Sequence, residues 1–134
     1  MGEMIQFFDK IFMDTDRSAL FEMEFNTRFT SARDLIVSRV EQEYAARKEN
    51  RGFGRISFID ESEYEKELNL SNISLNESEN NNRKRFVNIA LKAFESNRYF
   101  MIINGKQVES LDEVIEVLPR LEVEFFELPA IVGG

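Results

Sequence analysis

The sequence contains no cysteine and no histidine. Without cysteine the chain can form no disulfide and offers no thiolate, which fits a reducing compartment. Without cysteine and histidine it also lacks the ligands of ordinary zinc sites and the Ser-His or Cys-His pairs of nucleophilic enzymes. Any catalysis would have to rely on carboxylates, lysine or hydroxyl groups, and we expect no metal site.

Positive charge and long apolar runs are also scarce. The chain has 17 Lys and Arg against 25 Asp and Glu, a formal charge of -8. Nucleic acids and anionic membranes are bound through clustered positive charge, so we expect neither as a partner, and a basic partner surface is the better match. No apolar run reaches the length of a membrane span, and the N-terminal stretch has an acidic residue where a signal peptide is basic. We therefore expect a cytoplasmic protein.

The length of the chain predicts a single domain, residues 1–134. Its first quarter has the pattern of a β-hairpin. Residues 4–13 carry apolar side chains on both alternating faces, which predicts a strand covered on both sides. Residues 19–25 place Phe and Met on one face and Glu on the other, the pattern of a half-buried strand. Two such strands, joined by a polar turn, predict an antiparallel pair.

Two helices are predicted in the middle of the chain. The first begins at Ser31, an N-cap residue with an acid at Asp34, and continues to about Ala46. The second begins near Asn82, with the basic run 83–85 in its first turn. Its apolar stripe has the spacing of an amphipathic helix and consists of Phe86, Ile89, Ala90, Ala93 and Phe94.

Between the two helices, residues 49–82 predict an inserted, partly mobile segment. Residues 51–55 contain two glycines and predict a turn, and residues 56–59 predict a short strand. Residues 61–82 are acidic and rich in Asn and Ser, which predicts a surface loop because such a composition buries little apolar surface.

The last third of the chain returns to strands. Residues 99–103 and 106–108 flank Asn104-Gly105, the pair best suited to a two-residue hairpin turn. Residues 110–113 have the pattern of a capping box and predict a single helical turn through Ile115. A final strand, residues 121–127, can pair beside the first strand. The order predicts an α+β fold with one mixed sheet and packed helices, the β-grasp arrangement.

A resemblance extends over residues 99–134. This stretch resembles the end of the ubiquitin-like sulfur carriers, the small subunit of molybdopterin synthase and the thiazole-synthesis sulfur carrier. The matching residues are Asn104, Leu111, Leu118, Glu122-Val123-Glu124-Phe125-Phe126, Pro129, Val132, Gly133 and Gly134. The chain is also similar in logic to the bacterial ubiquitin-like modifiers encoded beside E1-like, E2-like and JAB-like enzymes. On the two glycines alone an idle terminus would be the better interpretation, and the upstream match reverses that preference.

The resemblance implies a substrate of an activating enzyme rather than an enzyme. An E1-like enzyme would use ATP to adenylate the carboxylate of Gly134, and the chain itself would bind no cofactor. Gly133 and Gly134 would thread the enzyme's channel, because glycine has no side chain to obstruct it. Ile131 and Val132 would fill an apolar groove, and Pro129 would stiffen the start of the C-terminal tail, residues 128–134, through its fixed φ.

The activated tail has two possible fates, and two further hypotheses need no activation. As a modifier the chain would pass through a thiol to a lysine or hydroxyl of a target, with a JAB-like peptidase as a possible further partner. As a sulfur carrier it would become a thiocarboxylate that serves a sulfur-accepting enzyme in cofactor biosynthesis. We favour the modifier, because the acidic insert enlarges the surface open to partners. The other hypotheses are an interaction adaptor and, with little support, carboxylate-based hydrolysis at Asp14 and Asp16 or at Asp60 and Glu61.

A possible partner surface is also predicted. The pairs Phe7-Phe8 and Phe125-Phe126 put aromatic side chains on both faces of the sheet, and the helices cover only one of these faces. The residues expected at a partner surface are Phe7, Phe8 and Phe126. The competing explanation is that the insert covers the second face.

Overall fold

The computed structural model of the chain describes residues 2–11, 16–54, 56–59 and 75–127. Within these ranges the chain forms strands and helices in an α+β order. They are β1 (Glu3–Ile11), β2 (Ser18–Phe25), β3 (Phe29–Ser31), α1 (Ala32–Lys48), α2 (Leu75–Glu95), β4 (Phe100–Ile103), β5 (Lys106–Gln107), β6 (Val114–Glu116) and β7 (Leu121–Glu127).

The main sheet is mixed and has the strand order β2-β1-β7-β4-β5. Strand β1 pairs antiparallel with β2 and parallel with β7, and β4 pairs antiparallel with both β7 and β5. The predicted first hairpin and the predicted position of the last strand beside the first are both confirmed. As a result β7 is the central strand, hydrogen-bonded on both sides.

The helices pack on one face of this sheet, and that face holds the core. Ile5 and Phe7 of β1 have no exposed surface, whereas Met4, which points the other way, is 45% exposed. The prediction that β1 is covered on both sides is therefore wrong. Apolar residues on alternating sides do not by themselves show how many layers cover a strand.

Helix α1 follows its prediction closely. The Ser31 hydroxyl accepts a hydrogen bond from the Asp34 N–H at 3.1 Å, which satisfies one of the free donors at the helix start. The helix runs to Lys48, two residues beyond the predicted end. Its predicted apolar positions are all buried in the core, namely Ala32, Leu35, Ile36, Val40 and Tyr44.

Helix α2 begins earlier than predicted, at Leu75, so residues 75–82 are helical and not part of a surface loop. The basic run 83–85 consequently lies inside the helix and not in its first turn. Four residues form the buried stripe, Phe86, Ala90, Leu91 and Phe94. Ile89 was expected in this stripe but is 41% exposed. Phe86, Ala90 and Phe94 follow the i, i+4, i+8 spacing along one helical face. Leu91, next to Ala90, is buried in place of Ile89.

Residues 56–59 are also different from the prediction. They form bends and not a strand, yet Ile56, Phe58 and Ile59 are buried in the core. The predicted insert therefore contributes to the core at its beginning and to α2 at its end. Residue 55 and residues 60–74 of the insert lie outside the described residues.

Of the helical turn predicted after residue 109, only residues 110–113 form a turn, in which the Glu113 N–H donates to the Ser110 carbonyl oxygen at 3.1 Å. Residues 114–116, expected to continue the helix, form strand β6 instead. Strand β6 pairs antiparallel with β3 in a separate two-stranded ribbon. The carbonyl groups of Leu111 and Glu113 accept hydrogen bonds from the N–H groups of Arg33 and Ala32, at 3.0 and 3.2 Å. These carbonyl groups are acceptors for N–H groups in the first turn of α1, which have no partner within the helix. The β-branched residues Val114 and Ile115 then continue in an extended conformation.

The β4–β5 hairpin is confirmed. Asn104 and Gly105 have φ values of 48° and 82°, the two positive angles that a type I′ turn requires. Asn104 also accepts a hydrogen bond through its side-chain oxygen from the Glu122 N–H at 3.0 Å. The turn thereby helps to fix the first half of β7.

Candidate functional site

The candidate site is the end of β7 from which the C-terminal tail departs. Pairing along β7 continues to Glu127, which lies opposite Ile11 of β1. Phe126 lies opposite Phe100 of β4. The predicted tail residues Pro129, Ile131, Val132, Gly133 and Gly134 lie outside the described residues, so the structure defines the base of the tail and not the tail itself.

A buried ion pair lies directly beside this end of β7. Asp9 of β1 is the register partner of Phe125. Asp9 and Arg39 of α1 are both fully buried. The Arg39 Nη1 donates to Asp9 Oδ1, and Nη2 donates to Asp9 Oδ2 at 3.0 Å. Nη2 also donates to the Ile56 carbonyl oxygen at 2.7 Å.

A second buried carboxylate, Glu43, extends the ion pair into a triad. Its Oε1 lies 3.5 Å from Arg39 Nη2. Its Oε2 accepts hydrogen bonds from the N–H groups of Phe58 at 3.1 Å and Ile59 at 3.0 Å. The Asp9 Oδ2 likewise accepts from the Ile56 N–H at 3.0 Å. Ile56, Phe58 and Ile59 are buried without strand or helix partners, and the two carboxylates accept hydrogen bonds from their backbone N–H groups.

Aromatic rings enclose the triad. The Arg39 guanidinium carbon lies 4.0 Å from the centre of the Phe58 ring and 4.8 Å from that of Phe125. The Phe58 and Phe125 rings meet edge to face at 5.3 Å. Because Asp9, Arg39 and Glu43 are all buried, these charges offer no open position to a substrate. Their role is to hold residues 56–59 against the end of β7.

Sequence reasoning missed the triad, although a signal for it exists. Arg39 and Glu43 lie on the same helical face as Leu35, Ile36 and Val40, and Asp9 continues the inward alternation of β1. Charged residues at such positions are normally read as interruptions of an apolar pattern. In the described part of the chain, no group of acidic side chains could hold a metal ion.

The structure places the residues of the predicted partner surface on opposite faces of the sheet. Phe7 has no exposed surface and stacks on Phe21 with ring centres 4.2 Å apart. The prediction that Phe7 contacts a partner is wrong, because its side chain points to the helices. Phe8 and Phe126 lie on the opposite face of the sheet and are partly exposed.

We call this second face the outer face and define it by Phe8, Glu122, Glu124 and Phe126. Arg17 contacts three of these residues. Its guanidinium carbon lies 3.8 Å from the centre of the Phe8 ring. It forms ion pairs with Glu122 at 2.9 Å and Glu124 at 3.2 Å. The hydrogen bond to Glu122 is the main reason that the pKa of Arg17 is raised. Arg17 thus crosses β1 to reach β7, a contact that the sequence pattern did not indicate.

A cavity of about 460 Å³ adjoins the end of β7 on the helical side. Its walls come from residues 56–59 and α2, with Arg98, Tyr99 and Glu127 along one side. The Tyr99 hydroxyl donates to the Ala90 carbonyl oxygen at 2.7 Å. Burial raises the pKa of Tyr99 well above its usual range, so this hydroxyl stays protonated near neutral pH.

In comparisons with known proteins, no family model, no curated protein and no solved structure matches the chain. Across the described residues, no helix has both the length and the apolar character needed to cross a membrane.

Proposed function

We propose that the chain is a ubiquitin-like protein modifier with a β-grasp fold. The observation that carries this proposal is the position of β7, which lies parallel to β1 in the centre of a mixed sheet with helices on one face. This arrangement is compatible with a β-grasp. The sequence that follows β7 contains the Gly133-Gly134 pair of the resemblance.

The proposed chemistry takes place at the carboxylate of Gly134. A carboxylate oxygen attacks the α-phosphorus of ATP on an E1-like enzyme, which forms an acyl-adenylate and releases pyrophosphate. A thiol then displaces AMP to give a thioester. A lysine amine of the target attacks the thioester carbonyl, the thiol leaves, and an isopeptide bond remains. The chain supplies the acyl group, and the partner enzymes supply ATP binding and catalysis.

The geometry of the sheet supports this role. A central strand that is paired on both sides gives the tail a fixed point of departure at Glu127. Residues 128–134 can extend about 23 Å at most from that point, enough to enter a channel while the domain stays outside. Gly133 and Gly134 would pass through the channel, and Ile131, Val132 and Pro129 would contact its entrance.

The outer face is the proposed recognition surface for the activating enzyme. Phe8 and Phe126 provide partly exposed aromatic surface near the tail, and Glu122 and Glu124 add negative charge beside them. A basic enzyme surface would complement this combination and the net charge of -8. A target protein, an E2-like enzyme and a JAB-like peptidase complete the proposed set of partners.

Two measurements test the proposal in sequence. The intact mass of the protein isolated from its host shows whether Gly134 carries a free carboxylate. The purified protein is then mixed with the E1-like enzyme encoded in the same genome, and ATP–pyrophosphate exchange is measured. We expect exchange with the intact chain and none after Gly133→Val, because a β-branched side chain adds bulk where the channel requires a thin chain. The variant should melt at the same temperature as the parent.

The product distinguishes the modifier from its alternatives. A covalent adduct on a target lysine or hydroxyl supports the modifier. Replacement of one carboxylate oxygen by sulfur identifies a sulfur carrier that serves cofactor biosynthesis. If a chain without Gly133 and Gly134 keeps full activity in its host, both roles fail and the protein is an interaction adaptor.

A further inference from the structure

Exposed apolar side chains gather on the two-stranded ribbon, at the end of β7 opposite the tail. The described residues include five large exposed apolar side chains, and three of them, Phe29, Val114 and Leu118, lie on or beside this ribbon. They are 50%, 67% and 43% exposed, respectively. The main sheet and the helices leave all three uncovered.

The pairing register places these side chains on one face. Phe29 lies opposite Glu116, and Thr30 lies opposite Ile115. Ile115 points inward and is buried, so Phe29 and Glu116 point outward with Val114. The alternation continues past β6, where Val117 is buried and Leu118 is exposed. We define the ribbon face as Phe29, Val114, Glu116 and Leu118.

The ribbon face carries two opposite charges that do not pair with each other. Glu116 stands between Val114 and Leu118 along the strand, so apolar side chains surround its carboxylate. Arg28 lies at the edge, with its guanidinium carbon 5.5 Å from the centre of the Phe29 ring. Neither Arg28 nor Glu116 has an ion-pair partner in the part of the chain that the structure describes.

We propose that the ribbon face binds the same face of a second copy of this chain about a two-fold axis. In such an isologous contact, Arg28 of each copy meets Glu116 of the other, so the contact contains both ion pairs. Phe29 then packs on the apolar side chains that flank the opposing Glu116. A foreign basic segment would neutralise Glu116 but leave Arg28 unpaired, and a foreign acidic segment would do the reverse. A copy of the same face carries both charges and satisfies each of them in one symmetric contact.

The proposed dimer is weak and leaves the tail accessible. Three apolar side chains and two ion pairs form a small contact, in the range below about 1,200 Å² that is typical of transient complexes. The dimer should therefore form only at high protein concentration. Strand β7 separates the ribbon from the tail by about 20 Å. Dimerisation and activation of Gly134 are thus separate properties, and the failure of one does not affect the other.

Charge reversal tests the proposal. Sedimentation velocity of the full chain, from micromolar to millimolar concentration, should show reversible dimerisation. In a dimer of Arg28→Glu, two carboxylates face each other at each ion-pair position. In a dimer of Glu116→Arg, two guanidinium groups do so. Each variant alone should dimerise about tenfold more weakly, a change of ~1.4 kcal/mol. An equimolar mixture of the two should recover dimerisation as a heterodimer, because each position then joins opposite charges.

Matched controls separate this contact from an effect of net charge or folding. Lys106→Glu and Glu41→Arg make charge changes of the same sign at other exposed positions and should leave dimerisation unchanged. Thermal unfolding should show that all four variants are folded. A chain that stays monomeric up to millimolar concentration overturns the proposal, as does a mixture of the Arg28 and Glu116 variants that fails to recover dimerisation. A monomer that binds a synthetic lysine-leucine peptide through Glu116 would instead assign the face to a foreign basic partner.

Discussion

The guanidinium of Arg39 donates to both carboxylate oxygens of Asp9, and neither side chain has any exposed surface. The pair joins α1 to β1 and lies beside Phe125, two residues before the end of β7. A buried ion pair adds little net stability compared with apolar residues of the same size, but the loss of one member leaves an uncompensated buried charge. Removal of either Asp9 or Arg39 should therefore lower the free energy of unfolding strongly.

Removal of the cation should be severely destabilising. Arg39→Met leaves the Asp9 carboxylate buried without its ion-pair partner, and we expect the free energy of unfolding to fall by about 3–5 kcal/mol. Urea unfolding measures this change. Arg51→Met is the matched control, because Arg51 pairs with Glu49 at 2.5 Å on the surface, and it should cost under about 1 kcal/mol. Equal losses in the two variants would contradict the prediction.

Glu43 should control the exchange of particular backbone amides. In Glu43→Ala the N–H groups of Phe58 and Ile59 lose their acceptor, whereas the Ile56 N–H keeps Asp9 as its acceptor. Hydrogen exchange measured by NMR should therefore accelerate more at Phe58 and Ile59 than at Ile56. Uniform acceleration at all three amides would show global destabilisation and would argue against a local role for Glu43.

Gly54 should tolerate no side chain. Its φ is +60°, and an added Cβ would clash with the Asp9 carboxylate and the Leu20 side chain. We expect Gly54→Ala to destabilise the fold by about 1–3 kcal/mol, through backbone strain and displacement of Asp9. Gly52→Ala meets no atom within 4 Å and should change stability by less than about 1 kcal/mol. Thermal unfolding measures the melting temperatures of both variants. Equal melting temperatures would refute the prediction.

Tyr99 should make the fold sensitive to alkali. Because burial raises its pKa in the folded chain, folding favours the protonated phenol, and this contribution is complete below the ordinary tyrosine pKa of about 10. It is lost progressively as the pH rises above that value. Tyr99→Phe removes the hydrogen bond to Ala90 and should cost about 1 kcal/mol at pH 7. The difference between the two proteins should shrink above about pH 10, and a constant difference would contradict the assignment.

Several elements could be predicted from the sequence because their causes are local. Asn104-Gly105 supplies the two positive φ angles of its turn, and Ser31 caps the helix that begins after it. The alternation of Phe21, Met23 and Phe25 with glutamates identifies the core face of β2. Each of these effects acts within a few residues, so the order of the amino acids alone determines it.

Other features depended on contacts between distant segments. Whether β1 is covered on one face or two depends on where the helices pack, and this placed Phe7 in the core and Phe8 on the outer face. Residues 110–113 have the side chains of a helix cap, but pairing with β3 and hydrogen bonds to the start of α1 made the following residues a strand.

The buried triad shows most directly what tertiary structure added. In the sequence, Asp9, Arg39 and Glu43 are ordinary charged residues. By itself the sequence determines their types, their spacing and their contribution to the net charge. Their burial became favourable only when folding brought a carboxylate from β1 to a guanidinium 30 positions later. Bending of residues 56–59 then supplied amide donors for both carboxylates. Charges remain in a core only where such partners converge, and convergence is a property of the fold.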